Sequence, residues 1–141
     1  IKMAEDAGVL GYFCLEVTEE TSIESMKSIM DNISRLKKKG IVVAVDDFSM
    51  GKTSLKYLKD NIFEIVKLDG ELVRQIADNE RIRGIISSII SLGQKLDFEI
   101  IAEFVENERI RDELHLLGCN LYQGYLYSPA VPFEKLKDMM E

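Results

Sequence analysis

Five short apolar runs each end in side chains capable of chemistry: Phe13-Cys14-Leu15-Glu16, Val42-Val43-Ala44-Val45-Asp46-Asp47, Glu64-Ile65-Val66-Lys67-Leu68-Asp69, Ile100-Ile101-Ala102-Glu103 and Asn120-Leu121-Tyr122-Gln123. Glu16, Asp46, Asp47, Asp69 and Glu103 stand at the same end of their runs. Such a series places carboxylates on one rim of a parallel sheet, the rim where strand–helix barrels build active sites. Two carboxylates about 4 Å apart repel by roughly 4 kcal/mol at an effective dielectric of about 20. A converging set therefore needs protonation, a lysine or bound cations. Lys67 is the lysine at hand. An all-oxygen donor set suits hard divalent cations such as Mg²⁺ or Mn²⁺. A His/Cys zinc site is not expected, because His115 lies in a predicted helix and Cys14 and Cys119 are far apart.

A cation cluster beside a lysine suits phosphodiester hydrolysis. A carboxylate such as Glu103 then serves as a metal ligand or as general base. The adjacent pair Asp46 and Asp47 leaves two arrangements open. Both acids face the site if the backbone turns at the strand end, or one binds metal and the other caps the loop, since successive strand side chains point to opposite faces.

Helical sequence separates the runs, and the alternation predicts a parallel sheet with crossover helices. Thr21 and Glu24 form a candidate capping box ahead of Ile23, Met26, Met30 and Ile33. Lys37, Lys38 and Lys39 complement the helix dipole before Gly40. A loop and a short helix, about Thr53 to Asp60, follow Asp47. A helical region over 71–96 breaks near Asn79, Asn107 and Gly118 bound the next helix, and 133–140 forms a last one. Tyr122, Tyr125 and Tyr127 read as packing residues, and the two cysteines as small apolar groups. Five strands with intervening helices make either a small open sheet or more than half of an eight-stranded barrel. The start at Ile1, apparently inside a helix, favours an incomplete TIM-like barrel of about five strand–helix units.

Charge and composition narrow the classes. The chain has 141 residues, a net charge of −7 and 46% hydrophobic residues. This size and mixture predict one soluble domain with a real core. The negative charge argues against general nucleic-acid binding. No run reaches membrane-span length and no signal peptide is visible. A cytoplasmic setting is expected, with membrane anchoring of a parent protein left to segments outside this sequence.

The motifs together resemble the EAL-domain family of cyclic di-GMP phosphodiesterases. Leu15-Glu16-Val17-Thr18-Glu19 is similar to its Leu-Glu-Ile-Thr-Glu segment, and Asp46-Asp47-Phe48 to Asp-Asp-Phe-Gly. Lys67-Leu68-Asp69 resembles Lys-Ile-Asp, Ala102-Glu103-Phe104-Val105-Glu106 resembles Ala-Glu-Gly-Val-Glu, and Gln123-Gly124-Tyr125 matches Gln-Gly-Tyr. The resemblance covers essentially the whole chain and implies an EAL-type barrel, with residues 1–141 as the C-terminal portion of the domain. It implies hydrolysis of cyclic di-GMP to linear pGpG with two Mg²⁺ or Mn²⁺ ions in the complete domain. Glu16, Asp46, Asp47 and Glu103 are then metal ligands. Lys67, Glu103 and Gln123 are catalytic, and Glu19 steadies the loop after Asp47. The same loop and helix are a candidate homodimer contact. Asp69 belongs to its motif without an assigned role.

The sequence also departs from the pattern. The Glu-Ala-Leu segment and an Asn ligand fall before Ile1, so this chain alone is expected to be inactive. Ser49-Met50-Gly51-Lys52 replaces Gly-Thr-Gly-Tyr, and Phe104 replaces Gly. These changes define the alternative: a degenerate, non-catalytic domain that binds cyclic di-GMP or a protein.

Overall fold

Uninterrupted apolar runs form the centre of the molecule. Val43, Ala44 and Val45 are fully buried, as are Val66 and Leu68. Strands buried on both faces lose the inside–outside alternation and belong in parallel sheets covered by helices. The computed structural model describes residues 2, 6, 8, 11, 13–18, 23–48 and 63–140.

Its strands are β1 (Cys14–Thr18), β2 (Val42–Phe48), β3 (Ile65–Leu68), β4 (Glu99–Ala102) and β5 (Leu121–Tyr122). Among the described residues the helices are α1 (Ile23–Lys37), α2 (Gly70–Gln75), α3 (Glu80–Leu96), α4 (Glu108–Leu116) and α5 (Phe133–Met140). The sheet runs β1-β2-β3-β4-β5 with every pair parallel. Sequential order with helical crossovers is the arrangement of a TIM-like barrel, here incomplete, with β1 and β5 at the two edges of the five-stranded sheet.

Local signals set the helix ends. The Asn79 side chain accepts from Arg81 N at 3.0 Å and Ile82 N at 3.3 Å, capping α3. Asn107 Oδ1 accepts from Ile110 N at 3.0 Å and caps α4. These bonds satisfy N–H groups that have no partner inside the helix. The predicted break near Asn79 is therefore a cap between two helices. Ile86, Ile89 and Ile90 form the buried stripe of α3, each contributing roughly 1.5–3 kcal/mol by burial. Ile33 of α1 joins the same core, with Met30 packed against it. Lys37 pairs with Glu64 at 2.6 Å, and Glu64 also accepts from Val43 N at 3.1 Å, tying the end of α1 to the start of β3.

Two packing expectations need correction. Cys14 is exposed, not packed, because β1 is a sheet edge. Tyr125 is 75% exposed and Tyr127 is also exposed, since they lie in the turn after β5. Cys119 is buried as expected. Burial pushes its thiol pKa up, which makes it inert. Thr21, Glu19, the loop at 49–52 and the helix expected over 53–60, with its dimer contact, lie outside the described residues. No helix among the described residues is long and apolar enough to cross a membrane.

Candidate active site at the strand-end rim

Lys67 is the hub of the rim. It sits at the third position of β3, buried, with strands on both sides. Its Nζ lies 2.9 Å from Glu16 Oε1, 3.0 Å from Asp46 Oδ1 and 2.9 Å from Glu103 Oε1. Burial opposes its charge, but the carboxylates of Glu103, Glu16 and Asp46 outweigh burial and hold the ammonium well above the ordinary lysine pKa. Stability from a raised lysine pKa is fully present below the unfolded value and is lost only as pH rises through the folded one. At neutral pH the whole contribution is therefore present.

Glu103 follows β4 and is also buried. Burial pushes its pKa up. The Lys67 hydrogen bond and charge pull it down, and Asp46 and Asp47 push it up again, with the net direction upward. A carboxylate whose pKa is raised is a stronger base than an ordinary one and is better suited to take a proton from water.

Asp46 and Asp47 owe their arrangement to a backbone irregularity. The β2–β3 register shifts between Val45 and Phe48, and Asp47 takes φ +54°. In a regular strand the two acids would point to opposite faces. The bulge instead brings carboxylate oxygens of Asp46, Asp47 and Glu103 within 4.8 Å of one another. Asp47 thus stands close to Asp46 and Glu103 rather than on the opposite face.

This cluster fits a hard divalent cation. The donors are all carboxylate oxygens. Asp46 Oδ1 is buried, with the Lys67 ammonium at 3.0 Å as its charged partner. Glu16 reaches the group through Lys67 rather than through the three-acid cluster.

Two further residues expected at the rim stand outside the three-acid cluster. Asp69 does not join the convergence: its Oδ1 accepts from Glu71 N at 2.7 Å and caps α2. Capping satisfies an otherwise unpaired N–H at the helix start. Gln123 lies at the end of β5, exposed, on the wall of a neighbouring cavity with Gly124, Tyr125, Phe104, Arg74 and Glu106.

Gly124 explains how the Gln123 turn sits so close to the rim. Gln123 N donates to Ala102 O at 2.8 Å, and Gln123 O accepts from Val105 N at 3.1 Å. A Cβ at position 124 would meet Val105 O at 2.3 Å and Val105 N at 2.4 Å, both backbone atoms that cannot swing aside. Gly124→Ala is therefore expected to destabilise the protein by about 3 kcal/mol, at the upper end of overpacking. Urea unfolding measures this. A change below about 0.5 kcal/mol, the size of an ordinary surface substitution, would show that the turn relaxes freely.

Phe104 was legible in sequence only as a departure. In the structure it has φ +52°, a region costly for a bulky residue, and its ring lies 4.5 Å from the Arg74 guanidinium. Arg74 is held by Glu106 at 2.7 Å. Gly70, directly after Asp69, was the overlooked signal, because it leaves the space that the ring fills.

A parallel strand–helix barrel with lysine-linked acids on its strand-end rim defines the class, and comparison with known proteins gives the family. The EAL-domain profile matches residues 2–130, and the chain belongs to the EAL-domain family. It is 34% identical over 125 residues to the bifunctional diguanylate cyclase/cyclic di-GMP phosphodiesterase MucR of Pseudomonas aeruginosa, covering 89% of this chain and 18% of MucR. The MucR phosphodiesterase solved with cyclic di-GMP superposes with a TM-score of 0.85 at 32% identity, over 96% of this chain and 55% of that one. The EAL domain of DcpA from Mycobacterium smegmatis gives a TM-score of 0.90 at 27% identity, over 98% of this chain and 62% of that one. BlrP1 of Klebsiella pneumoniae, solved with manganese and cyclic di-GMP, gives 0.81 at 28% identity, over 89% of this chain and 32% of that one. The chain thus spans under a fifth of MucR's length.

Proposed function

We propose that residues 1–141 are the C-terminal portion of an EAL-type phosphodiesterase domain that opens cyclic di-GMP to linear pGpG with Mg²⁺ or Mn²⁺. The observation that carries this reading is the Lys67 hub, which joins Glu16, Asp46 and Glu103 beside the Asp46–Asp47–Glu103 cluster. The names and ligands of MucR and BlrP1 support it.

Asp46, Asp47 and Glu103 would hold the divalent cation, with Glu16 completing the acidic wall. When bound, the cation supplies positive charge to the phosphate and acidifies water. Glu103 accepts the proton of the attacking water at a carboxylate oxygen. That water's oxygen bonds to phosphorus as the ester P–O bond breaks, and the departing ribose oxygen takes up a proton from solvent to leave as a hydroxyl on the opened product. Lys67 fixes the Glu103 carboxylate and offsets negative charge developing on the phosphoryl oxygens. Gln123 orients the substrate from the adjacent turn.

The test is chromatographic detection of pGpG after incubating the full-length protein with cyclic di-GMP and Mg²⁺ or Mn²⁺. Product that depends on the divalent cation is the expected result. Nucleotide binding without product would instead establish the alternative of a non-catalytic receptor, a reading favoured by the bulky Phe104 immediately after Glu103.

A further inference from the structure

We propose that Phe104 is the stacking wall for a purine base of the bound dinucleotide and so sets this protein's selectivity for purine-containing phosphodiesters. The inference rests on cyclic di-GMP being the ligand of the rim. It concerns a residue on which that reading does not depend.

The ring is held from several sides. A Cβ at position 70 would lie 2.1 Å from its Cδ2 and 2.4 Å from its Cγ, so the ring occupies space that only glycine leaves free. The Arg74 guanidinium lies over the ring, 4.5 Å from its centroid, and Glu106 fixes Arg74 through Nε at 3.3 Å and an η nitrogen at 2.7 Å. Despite this bracing Phe104 is 45% exposed. A large apolar ring in a left-handed backbone conformation, buttressed yet left open, is not explained by core packing. Outliers of this kind gather at ligand clamps.

The open part borders a cavity of about 460 Å³, also lined by Arg74, Glu106, Gln123 and Tyr125. Its size falls within the range of small-molecule sites. It adjoins the rim through Gln123 and through Glu103, the residue before Phe104. A substrate with its phosphate at the acidic cluster can therefore extend a base toward the ring. Base–aromatic stacking tolerates any flat heterocycle and is stronger for the larger purines. The guanidinium and carboxylate beside the ring add polar partners for a base edge.

The test is calorimetric binding to the full-length protein with Ca²⁺ present, using cyclic di-GMP and its pyrimidine counterpart cyclic di-UMP as probes. Phe104→Leu keeps apolar bulk without a π face. It should weaken cyclic di-GMP binding about tenfold, the size of one lost base–aromatic stack, and weaken cyclic di-UMP less. Gly70→Ala displaces the ring without altering it and should reproduce the same skewed loss. Phe104→Gly relieves the left-handed strain, so its weaker binding should come with an undiminished melting temperature. Parent-level cyclic di-GMP affinity in Phe104→Leu, or equal losses for both probes, would overturn the stacking role. A parent protein that binds cyclic di-GMP but does not cleave it removes only the phosphodiesterase reading. A parent that binds neither probe removes both proposals.

Discussion

Glu103→Gln in the full-length protein is expected to slow pGpG formation by about 100- to 10,000-fold, the range for losing a positioned general base. The amide keeps the side chain's shape and can still accept a hydrogen bond from Lys67. It cannot take a proton from water, and it offers a cation a neutral oxygen in place of an anionic one. The protein should nevertheless remain folded. Burial raises the Glu103 pKa, with the Asp46 and Asp47 charges adding to it and Lys67 opposing. A carboxyl group with a raised folded pKa favours folding below its unfolded pKa, and that contribution is lost as pH rises through the folded value. Once ionised, the group therefore carries a net penalty in which the attraction of Lys67 is already counted, and a neutral replacement removes it. Thermal unfolding should then lie within about 1 kcal/mol of the parent, an ordinary single-substitution effect. Turnover within about tenfold of the parent would exclude Glu103 as base or essential ligand.

Lys67→Met has the opposite signature. Without divalent cations at pH 7 it should destabilise the protein by about 2–3 kcal/mol. This is less than the roughly 3–5 kcal/mol of a fully buried broken pair, because water still reaches Glu16. Glu16 is 49% exposed, whereas the Glu103 and Asp46 side chains are 11% and 21% exposed. The loss arises from leaving carboxylates together without their shared cation. Lowering the pH, which favours the neutral form of Glu103, should therefore shrink it, and added Mn²⁺ should raise the melting temperature of the variant more than that of the parent. Unfolding measured at neutral and acidic pH, with and without Mn²⁺, separates charge from packing. Equal destabilisation under all of these conditions would mean that Lys67 acts by filling space.

These variants test a site whose parts were legible and whose connections were not. The strand ends were visible because Val42–Val45 and Ile65–Val66 are apolar runs, and runs of that kind mark buried parallel strands. Asn79 and Asn107 were visible as helix starts because capping acts over two or three residues of chain. The acids that could do chemistry were also visible, since each follows such a run.

Other features were settled by tertiary structure. Asp69 looks like Asp46 in sequence, yet the chain turns into α2 directly behind it and the carboxylate is taken up by Glu71 N. Asp47 comes close to Asp46 and Glu103 because the β2–β3 register slips. The hub around Lys67 joins residues 16, 46 and 103, which meet only after parallel pairing brings separate strands side by side. Gly70 and Phe104 interlock across a gap that neither residue's neighbours reveal. The sequence by itself determined which residues form strands, caps and charged ends, because periodicity and capping are short-range. Tertiary structure decided which charges share a cation and which ring borders the cavity, because ion pairing and packing depend on distances that chain separation does not set.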